Sequence, residues 1–241
     1  MNLLKVSLES QVTQILTSGA LVNFFTIIIG SLLGILLKKG IPERVKNTLM
    51  YGMALCVLYI GITGLFEEGA KILVIIVSFA IGSVIGEFAD FDKMVNSLGL
   101  KLEKKLSKGE SKIAEGFVAA TLLFCVGAMA IVGSIESGIN GDNSTLYSKA
   151  VIDGISAIAL TSTFGIGVIF SALSVLTIQG SLTLLAVFVA PVLTQDVVTQ
   201  MSVIGSALII ALGLNMLGIT KIKVMNYIPC LLLPIVLCIF M

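Results

Sequence analysis

The sequence contains no histidine and no tryptophan, and charged side chains make up only 12% of its 241 residues. Without histidine there is no imidazole proton relay, no His-ligated haem and little to hold most transition metals. A serine nucleophile would lack its usual base. The four cysteines (Cys56, Cys125, Cys230 and Cys238) all lie in apolar runs and form no CxxC pair. They read as small buried hydrophobes, not as a zinc site or a disulfide framework. No GxxxxGKS or GxxxxGKT loop occurs, so a nucleotide would have to act through a partner. No pair of aspartates sits at the centres of apolar helices, which argues against an intramembrane aspartyl protease. The chain is therefore expected not to be an enzyme and to hold no cofactor or metal. A net charge of +1 says nothing about partners.

What the chain has is apolar length. Hydrophobic residues make up 57% and the mean hydropathy is +1.10, whereas a soluble domain carries roughly 25% charge. Ala20 to Leu37, Asn47 to Phe66, Gly116 to Ile135, Val197 to Thr220 and Val224 to Met241 are free of charge. Each is near the ~20 residues that cross a bilayer. Gly154 to Gln195 runs 42 residues without a charge, enough for two spans, and Ile72 to Gly86 runs 15. The pattern predicts an all-α, polytopic transmembrane bundle of about eight helices. Their spans are 20–37, 47–66, 72–89, 113–135, 150–176, 181–195, 200–219 and 224–241, in one transmembrane domain, 20–241. Residues 1–19 carry Lys5 and Glu9 among Leu4, Leu8, Val12, Ile15 and Leu16. That spacing predicts a short amphipathic segment at the bilayer surface, not a cleavable signal peptide.

The lysines orient the bundle. Lys38, Lys39, Arg44 and Lys46 follow the first span, six lysines from Lys93 to Lys112 follow the third, and Lys221 and Lys223 follow the seventh. With these loops cytoplasmic, twelve of fifteen basic residues are inside and only Lys5, Lys71 and Lys149 are outside, as positive charge prefers. Both termini are then outside. Seven spans would put Lys221 and Lys223 on the wrong side. Segment 90–112 sets Phe91, Met94, Val95, Leu98, Leu102 and Leu106 at helical spacing beside lysines. It predicts a surface helix on anionic lipid, too short a basic stretch to expect nucleic acid.

One phrase is written twice. CVLYIGITGLFEEG at Cys56 to Gly69 and CVGAMAIVGSIESG at Cys125 to Gly138 agree at six of fourteen positions. GSLLG at Gly30 to Gly34 and GSVIG at Gly82 to Gly86 echo each other as well. The spans 20–66 and 72–135 thus read as parallel repeats. The GxxxG pairs Gly30/Gly34 and Gly82/Gly86 read as close helix packing, which makes a homo-oligomer plausible. The repeat makes Glu67 and Glu136 equivalent at the outer ends of their helices, with Gly69 and Gly138 as left-handed caps. The glutamates are either solvated ends or a shared outer entrance.

The fifth span is the most polar. Asp153, Ser156, Thr163, Gly167, Ser171 and Ser174 fall on one face of a continuous helix, and polar groups in a membrane face protein or water. Thr161, Ser162, Thr163, Gly165 and Gly167 belong to TSTFGIG, a stretch suited to kinking and to freeing backbone groups for a solute. Small residues that only allow close packing explain the stretch equally well. Gln179 and Gly180 interrupt the long run, Pro191 marks the sixth span as full or re-entrant, and Asn215 and Asn23 are further buried polar candidates.

Four phrases carry a resemblance: KKGIPERVKNTLMYGMALCVLYIG, EGFVAATLLFCVGAMAIVGSIESGINGD, LYSKAVIDGISAIALTSTFGIGV and LGLNMLGITKIKVMNYIPCLLLP. From about residue 19 to 241 the chain resembles the YqgA/YdfK-type bacterial inner-membrane proteins, domain of unknown function 554. That resemblance implies a bacterial plasma-membrane location and a transport role. The family's polar signature matches Gly133, Glu136, Gly138, Gly141, Asp142, Lys149, Asp153, Gly165, Gly167, Gln179, Gly180, Asn226 and Pro229. The expected function is a transporter or channel for a small polar or ionic solute within the lipid bilayer, its path lined by the fifth span. The alternative is a membrane regulator or assembly partner that docks through 90–112.

Overall fold

The structure, a computed structural model, describes residues 19–38, 43–95, 97, 113–125 and 127–240. Apart from Gly19, residues 90–95 and Ser97, the leader expected at 1–19 and the surface helix expected at 90–112 lie outside the described residues. Among the described residues there is no strand. The helices are α1 (Gly19–Lys38), α2 (Glu43–Gly64), α3 (Ile72–Ala89), α4 (Ile113–Cys125), α5 (Ala128–Asn140) and α6 (Ser144–Phe164). Then come a 3-10 turn (Ile166–Phe170), α7 (Ser171–Leu184), the single turn α8 (Ala186–Val189) and α9 (Gln195–Met216). A second 3-10 turn (Val224–Tyr227), α10 (Ile228–Leu232) and α11 (Pro234–Phe240) close the chain.

The long apolar runs set α1 and α3 where hydropathy puts them. Interruptions elsewhere follow from single residues. The run expected as one helix over 113–135 is two, α4 and α5, bent by 57°. Gly127 stands between them at φ 137°, a backbone shape that glycine takes freely and other residues resist. The helix expected over 150–176 starts earlier, at Ser144, and stops at Phe164. There Gly165 turns to φ 84° and ψ −155°, again a glycine conformation. The break therefore falls at 165. Gln179 and Gly180, expected to interrupt the run, lie inside α7. Residues 185–194, part of the span expected at 181–195, form α8 and turns. Pro234, lacking an N–H to continue a helix, opens α11.

Five stretches are long and apolar enough to cross a membrane: α1, α2 from Asn47, α3, Ile166–Leu184 and α9; α4 with α5 makes six if that bent pair is one span. The sequence expectation was eight. The two further stretches are α6, which carries Lys149 and Asp153, and the short 224–240. Large apolar side chains cover the outside, among them Phe88 (90% exposed), Phe66 (80%) and Phe188 (78%). Water would penalise such a surface, whereas lipid does not.

Glycines record how the helices meet. A Cβ on Gly19 would strike Leu146, one on Gly30 the Gly154 carbonyl, and one on Gly34 would lie 2.6 Å from the Ile158 carbonyl. Hence α1 and α6 lie backbone to backbone and run in the same direction. Gly82 meets Cys230 and Gly86 meets the Asn226 carbonyl, so α3 runs against the 224–232 segment. Gly61 and Gly64 meet Ser206, and Gly213 meets Leu58, so α2 and α9 run opposite ways. Gly116 meets Phe164, Gly167 meets Ile113, and Gly138 meets Thr183. The pair α4–α5 thus runs against α6 and alongside α7. Helices α1, α6, α4 and α7 pack in a ring around a core that includes Ile27, Ala120, Phe124, Ala157 and Val175.

Candidate functional site

Inside that ring lie four polar side chains. Asn23 and Gln179 are 0% exposed, Asp153 3% and Lys149 7%. Lys149 and Asp153 are four residues apart on α6, the spacing at which helical neighbours pair. The Lys149 Nζ donates to both carboxylate oxygens at 2.9 Å. From α1, Asn23 Nδ2 donates to Asp153 Oδ2 at 2.8 Å and to Gln179 Oε1 of α7 at 3.3 Å. One amide therefore ties three helices together. The network is incomplete: Asn23 Oδ1 and Gln179 Nε2 have no hydrogen-bond partner among the described residues. Buried polar atoms left in that state are rare and costly.

Polarity then alternates along the same three helices. Four residues away stand Ile27 on α1, Ala157 on α6 and Val175 on α7, all 0% exposed. Four further on are Ser31, Thr161 and Ser171, also buried. Because α7 runs against α1 and α6, all three steps lead towards the same end of the bundle. Eight helical residues rise about 12 Å, so two polar levels flank an apolar one. Ser31 Oγ and Thr161 Oγ1 have no partner among the described residues, and Ser171 Oγ donates to the Val168 carbonyl at 2.7 Å.

The remaining path candidates are dispersed. Ser162 and Thr163 donate their hydroxyls to the Ala159 carbonyl at 2.8 and 3.0 Å, and Ser156 is half-buried. The single polar face expected from Asp153 to Ser174 does not exist as one helix, because Gly165 ends α6 and Gly167, Ser171 and Ser174 follow the break. Gly165 donates its N–H to the Thr161 carbonyl. Asn215 is engaged in its own loop: its Nδ2 donates to the Ile222 carbonyl, and its Oδ1 accepts from Thr220 Oγ1 and the Ile222 N–H.

The outer-entrance pair is placed at separate seams. Glu136 Oε2 accepts from Thr145 Oγ1 at 2.8 Å, next to α6. Glu67 follows the end of α2, where the Gly69 carbonyl accepts from Gln200 Nε2 of α9. Gly69 has a positive φ of 86°. Gly138, expected as the matching cap, lies inside α5, and Gly141 caps it instead at φ 71°. The reason is steric, since Gly138 sits where a side chain would strike the Thr183 carbonyl.

The opposite end of the bundle, the basic end, carries Lys221 and Lys223. A cavity of about 430 Å³ opens there between Glu115, Phe164, Asn215 and Lys223. Beside it Glu87 accepts from Lys223 Nζ at 2.9 Å and from Asn226 Nδ2 at 2.8 Å. A second cavity of about 620 Å³, almost wholly apolar, lies against the α4–α5 break and is lined by Gly127, Ile178 and Phe188.

Sequence reasoning named Asp153 and Gln179 among its path candidates and noticed Asn23, without joining them. It missed Lys149, read as a basic residue outside the span. The signal was present: a lysine four residues before an aspartate, on a helix, neutralises it.

A family model described as a protein of unknown function (DUF554) matches residues 18–239. The chain is 36% identical over 219 residues to the "Uncharacterized membrane protein YdfK" of Bacillus subtilis (strain 168), covering 90% of this chain and 93% of that one. It is 30% identical over 220 residues to the "Uncharacterized protein YqgA" of Escherichia coli (strain K12), covering 89% and 93%. No solved structure matches it.

Proposed function

The chain belongs to the DUF554 family, and from that premise we propose that it is a transporter or channel for a small polar or ionic solute in the bacterial plasma membrane. One observation carries the reading. Deep among apolar helices, α1, α6 and α7 bring together a compensated charge pair and two amides with unpaired atoms. Ionisable groups within a membrane are expensive, and they mark solute or ion pathways more often than packing. The second polar level and the cavity at the basic end continue the line towards one face. We assign that face to the cytoplasm, as basic loops favour. Helix directions support eight passes with both termini outside. In this count α6 and 224–240 cross because their neighbours shield their polar or short stretches. The twin phrases support a duplicated origin for α1–α2 and α3–α5. No catalysis is assigned.

The test is flux. Purified protein in proteoliposomes is screened against ions, organic acids, amino acids and neutral solutes. At least one should cross faster than in protein-free vesicles and lose that advantage in Asp153→Asn. Wild-type flux in Asp153→Asn would remove the site from the path.

A further inference from the structure

Resting on that transport reading, we infer that the solute is a small uncharged molecule with both a hydrogen-bond donor and an acceptor, of the urea and carboxamide class, held between Asn23 Oδ1 and Gln179 Nε2. The orientation of both amides is dictated step by step. Lys149 holds both Asp153 oxygens as acceptors, so Asn23 must present its NH2 and its oxygen is the free end. The same NH2 donates to Gln179 Oε1, so the free end of Gln179 is its own NH2. The site therefore offers one acceptor and one donor.

The spacing suits a small molecule. The two amides touch at 3.3 Å and each spans about 2.2 Å from O to N, so the free atoms lie within about 8 Å of each other. A molecule with an N–H and a C=O on one carbon bridges that distance with two ordinary hydrogen bonds. Next along α7, Gly180 is buried, yet a Cβ built on it would meet no atom within 4 Å.

Charge points the same way. Lys149 and Asp153 cancel, and the titratable group that feels them from α4 among the described residues is the Cys125 thiol, an uncharged group. A lone ion would lose its hydration and gain no net countercharge. A neutral solute leaves less hydration behind and satisfies two buried atoms that are otherwise unpaired.

The test uses full-length protein in proteoliposomes and stopped-flow light scattering under urea and acetamide gradients, with rubidium and chloride tracer flux in parallel. Urea should cross at least tenfold faster than in protein-free vesicles, and acetamide should compete with it. Gln179→Leu, checked as monodisperse in detergent, should lose most of that flux. The competition needs no variant, so it holds as a test even if Gln179→Leu fails to fold. Rubidium or chloride flux without urea flux would overturn the solute class and leave the transport reading standing. Water permeation alone, with urea and acetamide excluded, would overturn it too, since the amides would then hold only water. Full urea flux in Gln179→Leu would overturn the site. If no solute moves at all, the transport reading itself fails.

Discussion

Two seams of this molecule are built from the same parts and end up in different environments. Each begins with a GxxxG pair, Gly30/Gly34 on α1 and Gly82/Gly86 on α3, that brings two backbones together. Each also contains an asparagine and a lysine on one carboxylate: Asn23 and Lys149 on Asp153, Asn226 and Lys223 on Glu87. In the α1–α6 seam the side chains of the ion pair, taken without their backbone, are 9% and 4% exposed. In the α3 seam they are 49% and 64% exposed. The asparagines differ as well. Asn226 Oδ1 accepts the Asp92 N–H at 2.8 Å, whereas Asn23 Oδ1 accepts nothing among the described residues. The triad on Glu87 is a finished staple, and the one on Asp153 has capacity to spare. Chemistry alone does not distinguish a site from a staple; burial and an unfilled hydrogen bond do.

The comparison breaks first at the carboxylates. Asp153→Leu leaves Lys149 charged and unpaired in the interior and should cost about 3–5 kcal/mol, read as a large drop in thermal unfolding temperature in detergent. Glu87→Leu should lower it far less. Adding Lys149→Met to Asp153→Leu should recover most of the loss while flux stays absent. A double variant as unstable as the single one would show that the charge pair is not what the single change disturbs.

The glycines come next. Gly30→Ala and Gly86→Ala each push a methyl into a carbonyl, that of Gly154 or Asn226. Each should cost about 1–3 kcal/mol by overpacking. On the proposed function, only Gly30→Ala should also reduce solute flux, because only that seam carries the proposed site. Equal flux losses in both would erase the functional difference between the seams.

The smallest effect concerns pH. Hydrogen bonding to Glu87, and then its charge, raise the Lys223 pKa above the ordinary 10.5. A raised lysine contributes fully below its unfolded value and loses that contribution as pH climbs through the folded one. The stability difference between wild type and Lys223→Gln should therefore hold from pH 7 to 10 and shrink above it. It should also shrink with salt, as exposed pairs do.

The sequence announced α1 and α3 almost to the residue, since an uninterrupted apolar run has one structural outcome. It misplaced α6 because freedom from charge was used to find spans, and Lys149 with Asp153 is a charged pair that behaves as a neutral one. It read 113–135 as continuous because a glycine in an apolar run, such as Gly127, looks the same whether it packs or bends. The stripe behind Asp153 assumed a straight helix, and Gly165 removed that assumption. Asp153 and Gln179 were legible singly. That Asn23 joins them depends on α1 crossing back over more than a hundred residues, which periodicity cannot reveal.

That long return also sets a clock on how the protein is made. Asn23 and Asp153 are 130 residues apart in the chain. At roughly 5–20 residues per second of synthesis, α1 waits about 7–26 seconds for its partner. It is apolar enough to cross the bilayer by itself during that delay, whereas α6 is not among the helices that are. The early helix thus waits for the late one: Asn23 is made long before the Asp153 carboxylate that its amide binds.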